Sequence, residues 1–167
     1  MLLQNLEIEP SELPQIEEVK FNALEKDYLW MRLLGWGIFF LVSAGILTFV
    51  MISAKIVFYL LFGPWLLLLL VIFFIEIRGF NIKGYALREK DITYKSGLLF
   101  FHMTSVPFNR IQHCEVSQGP LARLFDLASV KVYTAGGSSS DLSISGLTKE
   151  RAQKLRDFIT KLSSEYE

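Results

Sequence analysis

The sequence has a single cysteine and only two histidines. Cys114 alone cannot close an intramolecular disulfide or build a thiolate zinc cluster, and His102 and His113 are too few for a His-rich catalytic centre. His113 and Cys114 are also adjacent, so on a strand they point to opposite faces and cannot share a metal ion. The GxSxG, HExxH and GxGxxG patterns and the phosphate-cradling GxxxxGK[ST] loop are all absent, which removes the familiar signatures of acyl transfer, metalloproteolysis and nucleotide binding. Charge is missing over a long stretch as well. Between Leu33 and Ile75 the one charged side chain is Lys55, so the segment holds no acid–base pair of the kind an intramembrane enzyme needs. These absences predict a protein that is not an enzyme and uses no cofactor and no metal.

What is present is apolar. Of 167 residues 51% are hydrophobic, and the mean hydropathy is +0.36. A bilayer core of about 30 Å needs roughly 20 helical residues, so the run from Leu33 to Ile75 is long enough for two spans. We divide it at Ser53-Ala54-Lys55 into spans at 33–52 and 56–75, with the lysine snorkelling to the headgroups. Gly63-Pro64 is a poor turn, because too few apolar residues follow it to cross, and is read as a kink inside the second span. One tilted helix followed by a re-entrant segment is the competing arrangement. Tyr28, Trp30 and Trp36 form an interfacial aromatic group at the start of the first span.

Net charge is zero, with 17 bases and 17 acids, but the signs are segregated. Residues 1–27 carry seven acids against Lys20 and Lys26, and residues 76–167 carry thirteen bases against ten acids. Bases flank the spans on their outer sides (Lys20, Lys26, Arg32, Arg78, Lys83, Arg88, Lys90), against Lys55 alone in the turn, which predicts both termini on the cytoplasmic side. The acidic segment, interrupted by Pro10 and Pro14, reads as a solvated, partly ordered tail rather than a helix.

After Arg78 the pattern becomes short alternating runs broken by turn residues, a β signal. Strands are predicted at 85–88, 92–95, 98–103, 110–116, 129–134 and 142–145, with Gly136 to Ser140 turning between the last two. Pro120 suits a first helical position, giving one short helical turn with Leu121, Leu124 and Phe125 on a common face. Thr148 can cap a final amphipathic helix in which Ala152, Leu155, Ile159 and Leu162 repeat at spacings of 3, 4 and 3. The fold class is thus an α-helical transmembrane hairpin plus an α+β domain, a small antiparallel barrel or sandwich closed by a C-terminal helix. The divisions are an acidic segment at 1–27, a hairpin at 28–78 and a cytoplasmic domain at 79–167.

Tyr85-Ala86-Leu87, Lys95-Ser96-Gly97, Pro107 to Gln112, Gln118 to Arg123 and Thr134-Ala135-Gly136, in that order and spacing, resemble the YdbS-like bacterial pleckstrin-homology family, also described as membrane-flanked domains. The Tyr28 to Leu33 lead-in to paired spans is similar too. The sequence departs from the family at Lys95, where Arg is frequent, and at Asp126, where Gly is frequent. The resemblance implies a PH-like fold but supplies no biochemical activity.

Arg110, Gln112, Gln118 and Arg123 recur in that resemblance and are the candidate contacts for a partner or ligand, since guanidinium and amide groups recognise carboxylates, phosphates and exposed strands. The same side chains could instead bond loop carbonyls within the domain, and Asp126 beside Arg123 disfavours an anion there. Lys83, Arg88, Lys90 and Lys95 are candidates for contact with an anionic membrane surface. The expectation is a plasma (inner) membrane scaffold or assembly subunit. Its partners are the lipid bilayer and another membrane protein, for example a larger relative carrying several such domains, and not nucleic acid. A membrane-surface sensor of anionic lipid or peptide is the alternative.

Overall fold

A computed structural model describes residues 19–54, 58–135 and 140–165. The first eighteen residues of the acidic segment, Lys55 in the predicted turn and Gly136 to Ser139 therefore lie outside the described residues.

Helix α1 (Lys26–Ala54) and helix α2 (Phe58–Phe80) carry the apolar run. At 29 residues, α1 is about 44 Å long, so its first two turns extend beyond a bilayer core. α2 continues through Gly63-Pro64, placing the proline within the helix rather than in a turn. Leu41, Phe49, Ile52, Leu60, Leu67 and Phe74 are all more than half exposed, the pattern of helices bathed in lipid rather than enclosed in a soluble core.

The spans meet through Phe40, which is buried, and Trp65, whose rings stand edge-on at 5.4 Å. Trp65 Nε1 donates to Ser43 Oγ at 3.0 Å, and Ser43 in turn donates to the Phe40 carbonyl. A polar group in hydrocarbon needs such a partner.

Among the described residues, seven strands form two antiparallel sheets and do not close into a barrel. One sheet has the order β1-β2-β3-β4, from β1 (Asn22–Ala23), β2 (Gly84–Leu87), β3 (Asp91–Ser96) and β4 (His102–Pro107). The other contains β5 (Ile111–Ser117), β6 (Leu127–Thr134) and β7 (Leu142–Thr148) in that order. A 3-10 turn at Phe108–Arg110 joins the sheets, and helices α3 (Pro120–Leu124) and α4 (Lys149–Glu165) complete the domain. Between the layers lie Ile92, Val106, Phe108, Val130, Val132, Ile144 and Leu147, closed from one side by Ala152, Leu155 and Ile159 of α4. Thr148 caps α4 as expected, accepting from the Arg151 N–H at 3.2 Å.

One local expectation is corrected. The apolar run Leu98 to Phe101 is not strand: Gly97, at φ 96°, turns the chain there, and β4 starts only at His102. The short helical turn is present as α3, in which Leu121 and Phe125 are half-buried and Leu124 is 79% exposed. A strand that the periodicity does not announce also appears. Asn22 and Ala23, from before the first span, pair with Tyr85 and Gly84 from after the second, and Leu24 is buried in the domain core.

Asp126 takes φ 51° just after α3, the left-handed region that glycine occupies without steric cost. Asp126→Gly is expected to hold or raise stability by up to about 1 kcal/mol, whereas the β-branched Asp126→Val should lower it by about 1–2 kcal/mol. Thermal unfolding in mild detergent checks this, and equal effects of the two substitutions would contradict it.

Candidate functional site

The four polar residues singled out above do not converge. Arg110 and Gln112 stand at the start of β5, while Gln118 and Arg123 follow its end, with a strand roughly 20 Å long between the pairs. Arg110 borders a recess of about 240 Å³ that Ser105, Thr134 and Asp141 line together with Val106 and Pro107. The Thr134 hydroxyl and N–H donate to Asp141 at 2.7 and 2.8 Å and hold that carboxyl below its usual pKa. Gln112 lies at a register shift in the β5–β6 ladder. Gln118 Nε2 donates to the Leu127 carbonyl at 2.9 Å, fastening the loop that carries α3, and Arg123 is exposed on α3.

The basic residues divide as well. Lys83 lies over the Tyr28 ring at 5.3 Å and Lys95 over the Phe21 ring at 4.1 Å, and burial lowers the pKa of Lys83. Both flank the end of the domain that receives the spans. Arg88 and Lys90 are at the opposite end of the β2–β3 hairpin, where Arg88 bonds Asp91 at 3.0 Å and donates to the buried Thr93 at 2.9 Å.

Two arrangements that the sequence does not disclose are more coherent. At the domain end of the spans, Arg32 pairs with Glu76, and Trp36 Nε1 donates to the same carboxylate at 2.9 Å. One acid of α2 thus accepts from two side chains of α1. In sequence Glu76 is simply the first acid past an apolar run, and nothing in its spacing names its partners.

The second arrangement is a groove. Among the described residues, β1 pairs with the outer edge of β2 only at Gly84 and Tyr85. Beside β2 lies an open, largely apolar groove of about 340 Å³ between this strand and α4, lined by Tyr85, Leu87, Arg151, Lys154, Leu155 and Phe158. Arg151 pairs with Glu25, and Lys154 with Glu150 at 2.6 Å. Phe158 carries a trace of this site in the sequence, since it is an aromatic residue off the 152, 155, 159, 162 stripe. Among the described residues no three of His, Cys, Asp and Glu gather to hold a metal ion.

A family model described as "Bacterial PH domain" matches residues 33–163. This chain belongs to the bacterial PH domain family. Its YdbS-like character is borne out by 36% identity over 100 residues, 59% of this chain, to the UPF0699 transmembrane protein YdbS of Bacillus subtilis (strain 168). The match covers 61% of that relative's length. No solved structure matches. Together with the two lipid-exposed helices, these similarities make the chain a membrane protein carrying a PH-like domain.

Two predictions follow from these environments. Glu76→Ala leaves the Arg32 guanidinium and the Trp36 indole without their acceptor and should destabilise the protein by about 1–3 kcal/mol. Replacing both members of the pair by leucine should recover part of that loss. Unfolding in detergent micelles reads the two effects, and a neutral single variant would count against the clamp. Cys114, packed against the core, has its thiol pushed up to about 11 by burial. At pH 8 about 0.1% is then thiolate, against about a quarter of a free cysteine. Alkylation of the native protein should be at least about 100-fold slower than of the unfolded chain, and should keep rising with pH beyond 9 instead of levelling off.

Proposed function

We propose that this chain is a non-enzymatic scaffold or assembly subunit of the bacterial plasma membrane, with both termini cytoplasmic, whose PH-like domain binds another membrane protein. The observation that carries this reading is the α4 groove beside the part of the β2 edge that no described strand pairs with. An extended segment of a partner can add to the edge by backbone hydrogen bonds while its apolar side chains fill the space beside Leu87 and Phe158. β1 already uses the neighbouring part of the same edge in this way, so the mode of contact is continuous with one the molecule makes. The partner chemistry is an apolar, extended segment, and a larger relative with several PH-like domains is one candidate source. The cytoplasmic orientation is supported by the bases outside the spans.

The lipid-sensing alternative is less well supported, because the four lysines and arginines proposed for it do not form one face. Lys83 and Lys95 lie over aromatic rings, and Arg88 is held by Asp91 and Thr93.

The test uses tagged full-length protein in native membranes with a photo-crosslinking amino acid at Phe158, followed by mild extraction and mass spectrometry. The expected result is one crosslinked membrane protein whose capture falls at least about 30-fold in the Leu87→Asp variant, as for loss of a central contact. A full-length protein that runs as a lone monomer, with no crosslink at Phe158, would overturn the scaffold reading.

A further inference from the structure

The turn between β3 and β4 presents four apolar side chains in succession, Leu98, Leu99, Phe100 and Phe101. Its shape is set by Gly97, where an added Cβ would lie 1.8 Å from the Phe100 carbonyl oxygen. A side chain cannot be accommodated there, and the tight turn forces the following residues outward. Leu99, Phe100 and Phe101 are 70%, 77% and 59% exposed. Contiguous apolar surface of this kind is rare on a face meant for water.

Its position identifies what covers it. β2 leads away from the end of α2, and β3 returns antiparallel to it, so the turn after β3 comes back to the membrane end of the domain. There Leu98 Cβ approaches to 3.7 Å of where a Cβ on Gly79 would stand, one residue from the end of α2. Phe74 and Ile77, on the last turns of α2, are themselves exposed. The apolar surface of the loop is therefore continuous with the membrane end of a span, at the level where a helix leaves the hydrocarbon.

We propose that the Leu98–Phe101 loop inserts into the headgroup–acyl boundary of the bilayer that α1 and α2 span, giving the PH-like domain a third membrane contact. α1 and α2 anchor the domain; the loop fixes its tilt. Apolar groups at this boundary gain from burial at shallow depth without crossing. Lys95 and His102 at the base of the turn remain at the aqueous side of such an insertion. The inference depends on the span assignment and is independent of the β2–α4 groove.

The test uses purified full-length protein with Cys114→Ala, reconstituted in vesicles of phosphatidylethanolamine and phosphatidylglycerol. An NBD fluorophore is attached in turn to Phe100→Cys, Leu99→Cys and Lys90→Cys, the last at the far hairpin tip. Insertion predicts blue-shifted emission at positions 99 and 100, quenching there by lipids with a shallow doxyl label, and iodide quenching several-fold weaker than at position 90 with iodide on both faces. Equal iodide access at all three positions overturns the proposal. Shielding at 99 and 100 that disappears on diluting the protein in lipid also overturns it, because the loop would then be covered by a second copy. Using two loop positions keeps the result readable if one variant folds poorly.

Discussion

The chain enters the sheet before it enters the membrane, and the pairing of Asn22-Ala23 with Gly84-Tyr85 joins the two segments that flank the hairpin at its base. A domain on one tether would swivel about the end of α2. Here the backbone on both sides of the hairpin is fastened to the same sheet, and the fastening continues into the core through Leu24. The Glu25 N–H donates to the Gly146 carbonyl at 2.9 Å, and its carboxylate meets Arg151 of α4. Tyr28 then fits against Gly146, whose φ of 81° and missing side chain leave room for the ring. Once these contacts hold, the start of α1, the end of α2 and the inter-sheet core form one unit, and the closure entropy of the long hairpin is met by several contacts rather than by two hydrogen bonds.

The Arg32–Glu76–Trp36 cluster performs the corresponding task within the spans. Lipid gives two apolar helices little reason to associate through hydrophobicity, because the tails are as apolar as the side chains. A carboxylate shared between a guanidinium and an indole N–H fixes both register and rotation where the helices meet the domain. The Phe40–Trp65 contact and the Ser43 hydroxyl continue the same seam deeper. Gly35 in the same stretch leaves α1 open to Leu121 of α3, which lies 3.6 Å from a Cβ position on that glycine. The span pair therefore contacts the domain through α3 as well as through the segments that flank the hairpin.

Local chemistry made much of this legible in advance. Alternation located β2, β3, β5, β6 and β7, Pro120 and Thr148 marked the starts of α3 and α4, and length and hydropathy marked the two helices. Features that depend on distant partners were not legible. β1 is two residues with no alternation, and it exists because β2 presents an edge to it. Leu98 to Phe101 has the composition of a strand, and only the conformation of Gly97 keeps it out of the sheet. Glu76 looks like an ordinary charge beyond a span until α1 brings Arg32 and Trp36 to it. Arg110, Gln112, Gln118 and Arg123 form a group in sequence order alone, because the length of β5 separates them. Leu87 and Phe158 are 71 positions apart in the sequence, and α4 has to dock before they line one groove.

The strand directions also separate two kinds of work within the domain. The segments that flank the hairpin, α3 and the Leu98–Phe101 turn gather at the end that meets the spans, whereas Leu87 and the Arg88–Lys90 tip lie a strand away, roughly 13 Å along β2. Phe158 stands with Leu87, well along α4 from its start beside the membrane end. A partner strand bound there would be held at a fixed height above the bilayer by a domain immobilised from below. Rigidity of that base lowers the orientational entropy lost on binding, because the edge is already positioned when the partner arrives. Confinement to the membrane raises the effective concentration of a partner that is itself anchored. A short, shallow groove that would be weak between soluble proteins can therefore suffice between two chains sharing one bilayer.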